Sequence, residues 1–90
     1  MRRILKFPVP VPGVAEVVTA DQPEFLSVAW QGEQLCVWAL ATVGTEVRTR
    51  LVAVPTGAMP PDNAVFVGTA QHPTMLNGAP FVLHVFREAL

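Results

Sequence analysis

Glycine or proline interrupts this 90-residue chain at short intervals, and the stretches between them are rich in β-branched residues. No window free of both residue types carries an apolar stripe at i, i+3, i+4 and i+7, so no amphipathic helix is predicted. Valine, the commonest residue, and threonine lose rotamer freedom in helices and pack well on a pleated surface. Short apolar runs bounded by turn residues therefore predict strands, and the expected fold is all-β. The spacing fits a small antiparallel sandwich or barrel of about six or seven short strands.

The strongest local unit is the pair of apolar runs Glu24 to Gln31 and Gln34 to Thr42, separated by Gly32-Glu33. Glycine at the first central position suits a two-residue type II′ hairpin, whose twist matches its strands. That register sets Trp30 opposite Leu35, Val28 opposite Val37 and Leu26 opposite Ala39 on one face. The other face pairs Ala29 with Cys36, Ser27 with Trp38 and Phe25 with Leu40. Both faces are largely apolar, so the hairpin is expected at the centre of the fold, covered on both sides by its own chain or by a second subunit.

The remaining strands are expected at Arg2 to Phe7, Val14 to Thr19, Thr45 to Val54, Val65 to Gln71 and Phe81 to Arg87. Residues 8–13 alternate proline and valine and read as an extended, polyproline-like arm. Residues 55–64 and 72–80 read as loops, the second turning at Asn77-Gly78. Gly68 marks a bulge or a close backbone approach. The whole, residues 1–90, is one domain.

Composition limits the function. The chain is 51% hydrophobic and 14% charged, with six Lys+Arg against seven Asp+Glu. That excludes disorder, and it leaves no basic surplus for binding a nucleic-acid duplex. A domain this small buries roughly 60–65% of its unfolded surface and often needs a staple. Cys36 is the only cysteine, so no internal disulfide forms, and one Cys with His72 and His84 falls short of a zinc set. No metal or cofactor is expected. Self-association is expected instead, as a homo-oligomer. Prolines break any signal-peptide core after Arg2 and Arg3, and no run approaches the roughly 18 apolar residues of a membrane span. The expected location is the cytoplasm, away from membranes.

Few residues offer chemistry. Arg48 and Arg50 share a strand face with Glu46; they read as a solvated face with ion pairs, or as two guanidinium contacts to an anion. Trp30 and Trp38 fall on opposite faces of the hairpin, so one fills the core and the other is a candidate interface or ligand platform. Phe25, Trp30 and Trp38 are the candidate interface residues. Phe66, Phe81 and Phe86 read as core. His84 reads as a structural histidine or as a ligand contact; His72, beside Pro73, reads as exposed. Cys36 reads as a buried small hydrophobe. No catalytic set is visible, so the protein is expected not to be an enzyme.

Several segments together resemble a family of short proteins encoded by tailed bacteriophages and prophages. They are Ile4-Leu5-Lys6-Phe7 with the prolines that follow, Leu26-Ser27-Val28, Leu35-Cys36-Val37-Trp38-Ala39-Leu40, Glu46-Val47-Arg48, Thr56-Gly57, Phe66-Val67-Gly68-Thr69 and Val82-Leu83-His84-Val85-Phe86. The similarity runs nearly the length of the chain in constant order, with a shorter 42–45 turn here. The family brings no activity to transfer. The resemblance implies an accessory protein in the host cytosol that binds rather than catalyses and acts against host defence. The expected ligand is an anionic nucleotide-like signal held by Arg48, Arg50, Trp38 and His84. The alternative is a protein–protein module that inhibits a host protein or packs in a virion.

Overall fold

The computed structural model describes residues 1–11, 13–72 and 82–89. Pro12, most of the expected 72–80 loop with its Asn77-Gly78 turn, and Phe81 lie outside the described residues. Seven strands are present, with no helix among the described residues: β1 (Arg3–Val9), β2 (Val14–Thr19), β3 (Glu24–Gln31), β4 (Gln34–Ala41), β5 (Val47–Pro55), β6 (Val65–Gln71) and β7 (Val82–Ala89). They form two antiparallel sheets, a front sheet ordered β1-β4-β3 and a back sheet ordered β2-β5-β7-β6.

Period-two alternation explains the packing. On the front sheet Val9, Leu35, Val37, Ala39 and Ala41 point inward and are fully buried. On the back sheet Val17, Leu51, Ala70, Leu83 and Val85 meet them, with Thr19 and Thr49 also enclosed. Phe7, Phe25, Val28 and Trp30 close the core from the sides. The sheets approach at two seams, β1 against β2 and β3 against β6, where no ladder hydrogen bonds form. The result is a sandwich that stops short of a closed barrel.

The hairpin forms as expected near its turn. Gly32 adopts φ +61° while Glu33 stays out of the positive-φ region, as a type II′ turn requires. Trp30 faces Leu35, Val28 faces Val37, Ala29 faces Cys36 and Ser27 faces Trp38. Further along, a bulge between Phe25 and Ser27 shifts the register, so Phe25 rather than Leu26 opposes Ala39, and Glu24 rather than Phe25 opposes Leu40. The extra residue swaps faces: Phe25 turns onto the core, and Leu26 is left 48% exposed. Only β4 is central, since β3 is an edge strand, and among the described residues no element forms a further layer over the front sheet's outer face.

Two further expectations are corrected. The arm does not begin at Pro8: β1 continues to Val9, which is completely buried opposite Leu35. Because β1 is an edge strand, a proline nitrogen facing away from β4 breaks no ladder bond. Phe66 is 57% exposed, not core. A bulge between Phe66 and Gly68 sets it opposite Phe86 on the outer face of the back sheet, their ring centroids 5.7 Å apart. Gly68 fulfils both expectations made of it, since it borders this bulge and packs directly on Val28 across the seam.

Candidate functional site

The expected anion site divides between two surfaces. Arg48 and Arg50 project from β5 on the outer face of the back sheet, where β2 and β7 supply a carboxylate to each. Arg48 binds Glu16 through Nε at 2.9 Å and through Nη2. Arg50 Nη1 lies 3.5 Å from Glu88 Oε1. Pairs this exposed contribute about 0–1 kcal/mol each. Their consequence is for binding: both guanidinium groups are matched, and an arriving anion must displace Glu16 or Glu88.

His84 lies on the same outer face, four residues before Glu88 and so about 13 Å along the strand. Its Nε2 is 2.8 Å from Thr56 Oγ1 and its Nδ1 is 2.9 Å from Thr69 Oγ1. A neutral imidazole has one donor and one acceptor nitrogen, so one threonine accepts while the other donates. Both ring nitrogens are engaged.

Trp38 is on the other side of the molecule, on the outer face of the front sheet between Lys6 and Ser27. Within one chain it cannot join Arg48, Arg50 and His84. The next row toward the β4 end is apolar: Ile4 is 65% exposed, and Leu40 is half-buried beside it in register. The Lys6 side chain crosses β4 to donate to Gln31 Oε1 at 2.7 Å. Cys36 lies beneath this crossing and is 1% exposed, a buried thiol as its sequence context implied. Of the other interface candidates, Phe25 and Trp30 both pack against the core.

Clefts that the sequence did not reveal open at both ends of the β3/β6 seam, with a third between them among Val28, Trp30, Thr69 and Ala70. Near the β3–β4 turn, a cleft of about 310 Å³ is lined by Trp30, His72, Glu33, Leu35, Val9 and Val11, among others. His72, expected in solvent, has a side chain only 10% exposed. Its ring meets Trp30 edge to face at 4.5 Å, and its Nε2 lies 3.5 Å from Glu33 Oε2. At the opposite end of the seam, a shallower cleft of about 350 Å³ lies among Pro23, Glu24, Phe25, Val65, Val67 and Arg87. Arg87 belongs to the inward-facing register of β7 with Leu83 and Val85, and it pairs with Leu51 and Val65.

A polar latch fixes this second end. Arg2 donates from Nη2 to the carbonyls of Gln22 (3.0 Å) and Leu40 (2.9 Å), and its Nε lies 3.1 Å from Asp21 Oδ2. Asp21 accepts the Thr42 N–H at 2.8 Å and its hydroxyl at 3.3 Å. The Thr42 N–H bond, aided by the Arg2 guanidinium and opposed by partial burial, holds the Asp21 carboxyl below its ordinary value near 3.8. Glu24 is drawn to the same arginine, 3.6 Å from Nη1.

Among the described residues, no helix is long and apolar enough to cross a membrane, and no three His, Cys, Asp or Glu side chains gather as a metal site. Neither the curated proteins nor the solved structures yield a match to the chain. A protein-family match covers it from end to end. The chain thus belongs, over residues 1–90, to the family described as a domain of unknown function, DUF7352.

Proposed function

We propose that the protein is a non-enzymatic binding module that works as a self-associated assembly, encoded by a phage or prophage and acting in the host cytosol. The motif resemblance noted above supports the genomic setting. The observation that carries the association is the apolar outer face of the front sheet, where Ile4 and Leu26, 65% and 48% exposed, flank Trp38 and Leu40. Contiguous exposed apolar surface on a small domain marks an interface. The occupant that fits is a second copy. A two-fold axis along β4 lays β1 of one protomer on β3 of its partner, which brings Ile4 over the Leu26 bulge and Trp38 over its own counterpart. Sedimentation at tens of micromolar should show a dimer, and L26E should give a folded monomer. A wild-type monomer at that concentration refutes the reading, as does an L26E protein that still dimerises.

A second reading keeps an anionic, nucleotide-like signal on the back sheet. The shared outer face of Arg48, Arg50 and His84 favours it. Calorimetry against cyclic and linear nucleotides tests it; absence of heat, or an R48A protein that binds like wild type, rejects it.

A further inference from the structure

The arginines of this chain are not equivalent. Arg2, Arg48 and Arg50 each face a carboxylate within 4.0 Å. Arg87 is half-buried and makes no hydrogen bond or ion pair with any described residue. A guanidinium that has lost part of its hydration without gaining a counter-ion is electrostatically costly, and an anion brought to it restores the balance. The position is also concave. Arg87 sits where the two sheets open between the start of β3 and the start of β6, in the cleft of about 350 Å³ walled by Phe25, Val65, Val67 and Pro23.

We propose that this cleft is a binding site for a small organic anion, a phosphate or carboxylate carried on a flat or apolar body, with Arg87 as its charge partner. The planar fork of the guanidinium donates to two oxygens of either group side by side. The apolar walls fit the body of such a ligand and gain nothing from a bare ion. Phe66, 57% exposed, borders the cleft from the outer face of the back sheet. Glu24 also lines the cleft and opposes an anion, but the Arg2 guanidinium 3.6 Å away offsets its charge. The bulges in β3 and β6 shape the site, since each lies next to one of its walls, Phe25 and Val67. The proposal is independent of self-association, whose face lies on the outside of the front sheet.

The test uses the full chain and titrates phenyl phosphate while following backbone amide shifts by NMR. Shifts should concentrate at Phe25, Val65, Val67 and Arg87. Inorganic phosphate, without the ring, and benzyl alcohol, without the charge, should each bind about tenfold more weakly. Benzoate in place of phenyl phosphate separates the two anion types: tighter binding of either one assigns the head group. R87Q should weaken phenyl phosphate about tenfold, E24Q should tighten it about twofold, and R3Q, which removes an exposed cation elsewhere, should change nothing. Equal binding of phenyl phosphate and benzyl alcohol overturns the proposal. So does an R87Q protein that is folded and binds as wild type. If R87Q does not fold, an unchanged affinity in E24Q, or shifts confined to the outer face of the back sheet, overturns it equally.

Discussion

Replacing Gly68 by alanine tests the closeness of the two sheets at their β3/β6 seam. A Cβ added there would stand 2.8 Å from Val28 Cγ2 and 3.3 Å from Val28 Cβ, the first about 0.6 Å short of ordinary contact. Val28 has a single side-chain dihedral, stiffened by branching, and its backbone is pinned opposite Val37. It can yield only by leaving its rotamer, at about 0.5–1.5 kcal/mol, or by parting the seam, within the roughly 1–3 kcal/mol of overpacked cores. Losing glycine's freedom in the unfolded chain returns about 0.5–1 kcal/mol. The net expectation is a loss of about 1–2 kcal/mol, or a fall in Tm of roughly 5–15 °C for a domain of this length. Urea and thermal melts of wild type, G68A, V28A and the double mutant form the assay. Removing the Val28 methyls makes room, so G68A should cost nothing, or stabilise, in the V28A background. An identical cost in both backgrounds refutes the contact as the cause, and a neutral G68A refutes the seam geometry.

Acid should act through the latch. The Asp21 carboxyl titrates lower in the folded chain than in the unfolded one, so its stabilisation is complete above about pH 4 and is lost as pH falls through the folded value. In D21N, acid unfolding monitored by circular dichroism should accordingly show a smaller fall in stability below pH 4 than in wild type. Gly32 has open space around its missing Cβ but φ +61°, so G32A should cost about 1 kcal/mol in a urea melt and G32N less. Cys36 should resist a thiol reagent in the native state and react at the rate of opening, because its side chain is sealed beneath the Lys6 crossing; immediate full reaction would contradict that cover.

What the sequence disclosed follows the range of the interactions involved. The type II′ turn, the hairpin register beside it and the close approach at Gly68 depend on local geometry, and each was readable from residue type. The bulge at Leu26 was not, because nothing in Phe25-Leu26-Ser27 marks where an edge strand gains a residue; the shift is fixed by how Phe25 reaches the core. That single residue also decided which of Phe25 and Leu26 could serve an interface. The pairing of Arg48 with Glu16 and of Arg50 with Glu88 joins positions 32 and 38 residues apart, set by the order β2-β5-β7. A pattern along β5 alone shows two arginines on one face, and nothing of the carboxylates that meet them. Arg87 shows the converse. In sequence it looks like the polar end of a strand, and only the register with Leu51 and Val65 places it on the inner side. For His72 the neighbouring proline indicates a loop without indicating that the residue packs against Trp30.

The path of the chain between the sheets has a consequence for how the domain assembles. The chain lays down β1 in front, β2 behind, β3 and β4 in front, and then β5, β6 and β7 behind. The front sheet is completed only when residues 3–9 meet residues 35–41, and that loop encloses β2, a strand of the other sheet. The back sheet likewise begins with β2 and waits for β5, on the far side of the whole β3–β4 hairpin. Apart from that hairpin and the consecutive pair β6–β7, closure of each sheet depends on long loops whose entropy is recovered only when the other sheet is in place. Neither layer can be cut out as an independent folding unit, and a chain split between β4 and β5 leaves two fragments that each need the other to fold.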